Sequence, residues 1–562
     1  MSTISPNSAI FFEPDGYLLS GPKLMGRQAA GNAFLRATVA GRGDAPLFVY
    51  TPHKRSAEIF SQMVKGFDSR AIVQWIPSHR LDMLRSVGAL FLPGPGIDAA
   101  AYLRLREGVL AYSLVGVTHT TASHGAMDSI AGLLSAPVMP WDALICTSQA
   151  VGKTVISILE AHSAYLNWRF GHSLPLTLPQ LPVIPLGVHC DDFAFSAEER
   201  SIARKKLRID PDEVVVLYVG RLSFHAKAHP HVMYLGLQRV VERTGKKVTL
   251  IQCGWFANES IEKSFVDGAA EFCQDVRAIY IDGREAGCRR QSWAAADIFV
   301  SLSDNIQETF GLTPIEAMAA SLPVVVTDWN GYKETVRDGQ DGFRIPTQMA
   351  PPDLGEPLAR AHEAGVENYD FYCGLTCQSV AVDGIALVQR LTDLVLNRDL
   401  RIKMGASGKT RALEMFDWPV VYGQYQKLYA ELSELRRRAA SHPDWKDRIA
   451  AAPNVAANRM DPFKSFGHYP TALIGQGTLI SAAPDASLNL YEKLAQHALF
   501  NYAAKVLPSF EVVERLLGDV GQGVLSVEAL AKKTGYNLGT VVASVAILAK
   551  MGLVTLTQKE IA

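Results

Sequence analysis

From Ser301 to Pro323 the chain reads SLSDNIQETFGLTPIEAMAASLP: the end of a strand, a glycine-bearing loop and the start of a helix. Two carboxylates stand in it, Glu308 in the loop and Glu316 in the helix. Even along a fully helical path of about 1.5 Å per residue their backbones would lie roughly 12 Å apart. Carboxyl pairs that cleave a glycosidic bond face each other at about 5 to 9.5 Å, so these two are read as gripping different parts of a long ligand. Thr313 suits a helix N-cap, Pro314 the first helical position and Glu316 the third, which predicts a helix starting at Pro314. Unpaired N–H groups at that start form an anion site carrying about half a positive charge, and Gly311 lets a phosphate approach the backbone. Glu316 taken alone also satisfies a capping box, whereas Glu308, in the loop, has no such structural role.

A second basic cluster follows the run Val214 to Val219, in Gly220-Arg221-Leu222-Ser223-Phe224-His225-Ala226-Lys227-Ala228-His229. Arg221 offers a planar fork and Lys227 a point charge, two ways of holding a diphosphate. His225, His229 and His231 read as solvated loop residues, because no fourth metal ligand is legible near them. In the first half of the chain, Gly21 to Phe34 is a glycine-bearing loop leading into a helix, with Gly26 and Gly31 in it. It holds G-x-x-x-x-G rather than a full dinucleotide fingerprint, and a tight turn or close packing explains such glycines equally well. His119 closes the buried run Leu114 to Thr118 at what would be a cleft edge, where two ring nitrogens suit a sugar hydroxyl.

The elements that must position these residues form two series. Pro46 to Tyr50, Ala71 to Trp75, Ala89 to Leu92, Leu114 to Thr118 and Ala143 to Thr147 read as apolar strands separated by helical stretches. Val214 to Val219, Val248 to Cys253, Ala278 to Ile281, Ile298 to Leu302 and Pro323 to Thr327 repeat the pattern. Strands apolar on both faces, alternating with helices, predict two doubly wound α/β domains. The proline-rich segment Thr177 to Phe193 joins them. The reading places the first Rossmann-like domain at 1–187, the second at 188–438, a linker at 439–470, and a helical unit at 471–562 whose helix, Gly535 turn, helix and strand follow a winged-helix pattern.

Bulk properties narrow the function. The 562 residues are 48% hydrophobic and 20% charged with a formal net charge of -1, a globular composition with no charge for polyanions. Seven scattered cysteines without a C-x-x-C pair fit reduced thiols, and Cys373 with Cys377 lacks the second pair a metal site needs. Met1 to Leu19 carries no secretory pattern and no run of 18 apolar residues exists. The expectation is a cytoplasmic protein whose membrane contact, if any, is peripheral at the inner face, with Arg436-Arg437-Arg438 as the basic run nearest to such a role.

The ordered set of these motifs resembles the retaining glycosyltransferases of family 4, which have the GT-B fold of two Rossmann-like domains facing a cleft. The resemblance spans residues 17 to 435 and adds Thr118-His119-Thr120, Asp142 to Ser148, Ile184 to Val188, Gly339 to Phe343 and Phe416-Asp417-Trp418 to the blocks above. It implies transfer of a hexose from a nucleotide-diphosphate sugar to a glycan, lipid-linked or small-molecule acceptor, with retention and without metal or cofactor. Glu308 would then bind donor-sugar hydroxyls and Glu316 the ribose. Arg221 and Lys227 would neutralise the diphosphate, and the N–H groups of Thr309, Phe310, Gly311 and Leu312 would hold sugar and phosphate. His119 would contact the sugar from the opposite domain, where Gly26 and Gly31 would admit phosphate or acceptor. Two departures stand out: Ala228 follows Lys227 where glycine is frequent, and Met349 to Val382 reads as an insertion, a candidate seat of acceptor specificity.

The rival readings are a DNA-binding regulator, a non-catalytic GT-B scaffold acting through the C-terminal unit, and another GT-B enzyme such as a trehalose-type synthase, a sugar phosphorylase being disfavoured because no lysine motif for pyridoxal phosphate is evident. From Glu511 onward five basic side chains balance five acidic ones, which leaves no footprint for nucleic acid and favours a protein partner or self-association through 471–562. Glu308, Glu316, Arg221, Lys227 and His119 together favour a working site over a scaffold.

Overall fold

The computed structural model describes residues 7–19 and 26–558. Residues 21–25 of the glycine loop lie outside the described residues. The chain divides into two compact units, 1–456 and 457–562.

The first unit holds two six-stranded parallel sheets. The first sheet comprises β1 (Ala9–Phe11), β2 (Leu47–Thr51), β3 (Val73–Pro77), β4 (Ala89–Phe91), β5 (Ser113–Val117) and β6 (Ala143–Ile145), in the order β3-β2-β1-β4-β5-β6. The second comprises β7 (Val214–Val219), β8 (Val248–Gly254), β9 (Arg277–Asp282), β10 (Ile298–Ser301), β11 (Val324–Thr327) and β12 (Gly342–Ile345), in the order β12-β11-β10-β7-β8-β9. Each is the doubly wound order 3-2-1-4-5-6, with its direction of winding reversing between its first and fourth strands. The expected strands are all present. The first sheet adds one that the pattern does not announce, its central strand: β1 is only three residues long and gives no periodicity to read, yet it pairs in parallel with both β2 and β4. The second sheet likewise adds the edge strand β12.

The chain crosses between the domains twice, and the crossings are paired. Val188 N–H donates to Phe416 O at 2.8 Å and Trp418 N–H to Val188 O at 3.1 Å. The Asp417 carboxylate caps this junction, accepting from the N–H groups of Trp418 and Cys190, each at 3.1 Å. Helix Trp418–Ser441 then runs back over the first sheet, burying Trp418, Val421, Tyr425 and Leu432 with Phe34, Phe91 and Ile145. Gly187 has no side chain here because a Cβ would stand 2.5 Å from the Trp418 ring.

The expected linker needs correction in its first part. Pro443–Ala450 is a helix, with proline at its start and the His442 side chain accepting from Asp444 N–H, and Trp445 packs edge-on against Trp141 at 5.4 Å. Proline breaks a helix from within, but in the first helical turn its missing N–H costs nothing.

The second unit folds around its own core of Ile480, Tyr491, Val513, Leu516, Leu530, Val545 and Leu548. Helix Val527–Thr534 ends at Gly535 in the left-handed region (φ +78), and helix Leu538–Lys550 follows. Three short antiparallel strands, Leu479–Ala482, Leu525–Ser526 and Val554–Thr557, complete it, with the first in the middle.

Because Trp418 is buried at the crossing, Trp418→Ala is expected to lower stability by about 3–5 kcal/mol in urea unfolding, while Trp168→Ala, at a residue 75% exposed, should change it by under about 0.5 kcal/mol. Equal effects would show that the crossing is not part of the core.

Candidate functional site

In doubly wound sheets, loops part at the carboxyl ends of the strands where the winding reverses, and the crevice between them takes ligands. In the second sheet this point lies between β7 and β10. The two basic and acidic blocks singled out in the sequence are the loops leaving those strands. Lys227, from the loop after β7, pairs with Glu308, from the loop after β10, and the two side chains are 28% and 8% exposed. Arg221 is held alongside: one guanidinium nitrogen donates to Ala226 O at 2.8 Å and to the Gln307 side-chain oxygen at 2.8 Å.

The helix after Glu308 is Leu312–Ala319, and its cap is Gly311, not Thr313. Gly311 has φ +87, which lets the chain turn into the helix two residues earlier than expected. Pro314 still fits, since N–H groups of the first turn have no carbonyl to bond. The cap residue offers no side chain to this end, and the N–H groups of Leu312 and Thr313 open the helix. Tyr332 supports the turn from below: it is fully buried, its hydroxyl lies 2.9 Å from Ser301 Oγ, and any Cβ at 311 would overlap its ring.

Glu316 lies in the second turn of this helix. Burial pushes its carboxyl up to about 7, with the charge of Arg289, from helix Ala286–Ala295, pulling partly back. Asp304 is likewise raised to about 7 by burial, against the N–H of His229, which donates to it at 3.3 Å.

The first domain supplies the opposite wall. His119 follows β5, and burial, together with the charge of Arg27, takes its imidazole down to about 4, so the ring is neutral at pH 7. Its carbonyl accepts from Thr309 Oγ at 3.1 Å, and the Thr309 carbonyl accepts from Ser148 Oγ at 2.9 Å. His119 also lines a small, mostly apolar pocket with Gly31, Phe34, Pro93 and Trp418, whose buried indole N–H has no partner among the described residues. Gly31 is glycine because its helix, Gly26–Gly41, runs against the Gly16 carbonyl. Gly26 begins that helix with nothing within 4 Å of a Cβ position among the described residues. Glu308, Lys227, Arg221, Gly311 and Thr309 thus converge, with His119 reached through Thr309. Gly31 belongs to the pocket wall beyond, and Gly26 is exposed at the start of its helix.

Three residues escape the sequence reading. Gln307 orients Arg221. Asn330, in the left-handed region (φ 41) just past β11, donates its amide to the Glu308 carbonyl. Glu334 accepts from Gln149 N–H at 2.9 Å and Ala150 N–H at 3.3 Å, one domain capping a helix of the other. The carboxyl-end rule is the available signal for Asn330; side-chain partners across a cleft leave none.

Residues 199–370, the core of the second domain, match the family model of glycosyl transferases group 1. D-inositol 3-phosphate glycosyltransferase of Nocardia farcinica is 28% identical over 169 residues, 30% of this chain and 36% of that protein. Phosphatidyl-myo-inositol mannosyltransferase of Mycobacterium tuberculosis is 26% identical over 247 residues, 44% of this chain and 53% of that protein. The chain therefore matches only a third to a half of the length of these relatives. Among solved structures, Anabaena Alr3699/HepE in complex with UDP and glucose aligns with a TM-score of 0.48 at 14% identity, covering 75% of this chain and 99% of that one.

The raised carboxyl of Glu316 has a consequence for stability. From the ordinary 4.5 up to about 7 the folded chain keeps a proton that the unfolded chain releases, so this residue's contribution falls as pH rises through that window. Glu316→Gln should therefore gain stability relative to wild type between pH 5 and pH 8 in urea unfolding. A difference independent of pH would mean the carboxyl is not buried as described.

Proposed function

We propose that the chain is a retaining glycosyltransferase that moves a hexose from a nucleotide-diphosphate sugar to a glycan, lipid-linked or small-molecule acceptor. The observation that carries this reading is the convergence, at the point where the second sheet reverses its winding, of Arg221, the Lys227–Glu308 pair and an uncapped helix start. These groups suit a diphosphate joined to a sugar. Arg221 and Lys227 bind the phosphates, the N–H groups of Leu312 and Thr313 add two donors, and Glu308 accepts from hydroxyls of the sugar. Glu316, further along, accepts from the ribose in its ionised form. The neutral ring of His119 can donate through one nitrogen and accept through the other, as a sugar hydroxyl requires.

In the reaction, the bond between the anomeric carbon and the phosphate oxygen breaks as the acceptor oxygen bonds to that carbon on the same face. The acceptor proton passes to the departing phosphate. Fixed positive groups stabilise the charge that gathers on the diphosphate and need no rearrangement to do so. No protein nucleophile takes part, and we assign the neutralisation of the diphosphate to the two side chains and the helix start instead of a metal. The setting proposed is cytoplasmic, with peripheral contact at the inner membrane face where the acceptor is lipid-linked.

The first test is thermal stability with UDP-, GDP- and ADP-sugars for wild type and Glu316→Ala. A ligand at a hundredfold excess over its Kd stabilises by about 2.7 kcal/mol, and one nucleotide class should do so in wild type and less in the variant. No shift with any donor would turn the reading toward a scaffold. With that donor, Lys227→Met should lower kcat by about 10²–10³-fold, the cost of losing one fixed charge at the leaving group. Turnover should persist in EDTA, and the product anomer, read by NMR, should match the donor. Activity lost in EDTA and restored by a divalent ion would overturn the metal-independent part.

A further inference from the structure

Between β12 and helix Gly384–Leu396 the chain makes an excursion. At its base β13 (Thr347–Met349) and β14 (Val380–Val382) pair antiparallel, and Asp383 N–H donates to Pro346 O at 2.9 Å. Helices Glu356–Glu363 and Tyr369–Cys377 fill it. The excursion rests on the basic loop of the second domain: Gly374 lies so close to His225 that a Cβ would stand 2.7 Å from the His225 Cβ, and Phe371 stacks with the His225 ring at 6.1 Å.

It also reaches the first domain, at the loop that carries His119. The Tyr369 hydroxyl lies 3.1 Å from Thr120 Oγ and accepts from the Gln307 amide at 3.3 Å. Gln307 in turn accepts from Arg221 at 2.8 Å, so one phenol joins the residue beside His119 to the side chain assigned to the diphosphate. A few residues on, the rings of His124 and His362 stack at 3.8 Å, and those of His362 and Tyr372 at 4.5 Å. His362 is only 8% exposed, and its Nδ1 is bonded to Glu367 O at 2.9 Å, which fixes the ring before it meets His124.

We infer that residues 347–382 are a clasp between the two domains and that Tyr369 is a positioning residue, holding Gln307 and Arg221 in register with the His119 loop while the cleft is shut to water. The catalytic half of this inference rests on the nucleotide-sugar reading; the mechanical half does not. A phenol with partners on both walls loses its function if its hydroxyl goes, while the ring keeps its packing. Loss of the clasp would admit water to the donor, and hydrolysis would compete with transfer.

The test begins without any nucleotide, by hydrogen exchange on the full chain. In Tyr369→Phe, and more in Tyr369→Phe with His362→Ala, amides of residues 118–126 should exchange about tenfold faster while those of β7 and β8 stay as in wild type, because a segment opens locally where its own tethers are cut. Loosening confined to residues 356–377 would overturn the clasp, whatever the activity. With a turned-over donor, Tyr369→Phe should raise hydrolysis relative to transfer about fivefold, and adding Thr120→Val should change it little further, as expected of two partners in one interaction. An unchanged ratio, or fully additive effects, would remove Tyr369 from the role. If no donor turns over at all, the transferase reading fails and the exchange result still decides the clasp.

Discussion

A lysine and a glutamate pair where β7 and β10 diverge, the glutamate buried and the lysine partly exposed, and the cleft is arranged around that pair. The Glu308 carboxylate, nearly out of water, depends on its partner, because a buried charge left unpaired is costly. The pair therefore fixes the separation of the two loops. Once Lys227 and Glu308 are joined, Arg221 and Gln307 are brought side by side, and Asn330 is placed to bond the Glu308 carbonyl. An arriving diphosphate would meet a lysine whose charge is already matched, so binding must exchange one anionic partner for another. Such an exchange costs less than exposing a bare ammonium to a dry site.

The same cleft carries charge at odds with stability. Glu316 and Asp304 are both raised to about 7 by burial, which means the fold disfavours their ionised forms near neutral pH. His119 is shifted the other way, to about 4, and stays neutral. Burial is the leading cause of all three shifts. A cleft that excludes water strips solvation from its own side chains as well.

How much of this is legible in the sequence depends on whether the signal is local. Apolar runs such as Val214–Val219 announce the sheets, and Glu308, Lys227 and Arg221 stand out because they follow strand ends. β1 escapes because three residues carry no period, although it sits at the centre of its sheet. Side-chain chemistry places the helix cap at Thr313, while the backbone freedom of Gly311 decides the matter. The prolines after Arg438 suggest a linker, yet Pro443 starts a helix.

What the sequence does not show is that the loop after β10 is not self-sufficient. Thr309 gives a hydrogen bond to the His119 carbonyl and takes one from Ser148, so the loop between Glu308 and Gly311 is held by the first domain. Glu334 closes the same junction from beside β11, using its carboxylate where a helix of the first domain exposes free N–H groups. Spacing within one block of sequence can say which groups share a loop, but the position of that loop is set by residues about 160 to 190 positions away. The chemistry is therefore assembled only when both sheets are folded and docked, and a second domain expressed alone would keep the motif without the geometry that gives it use.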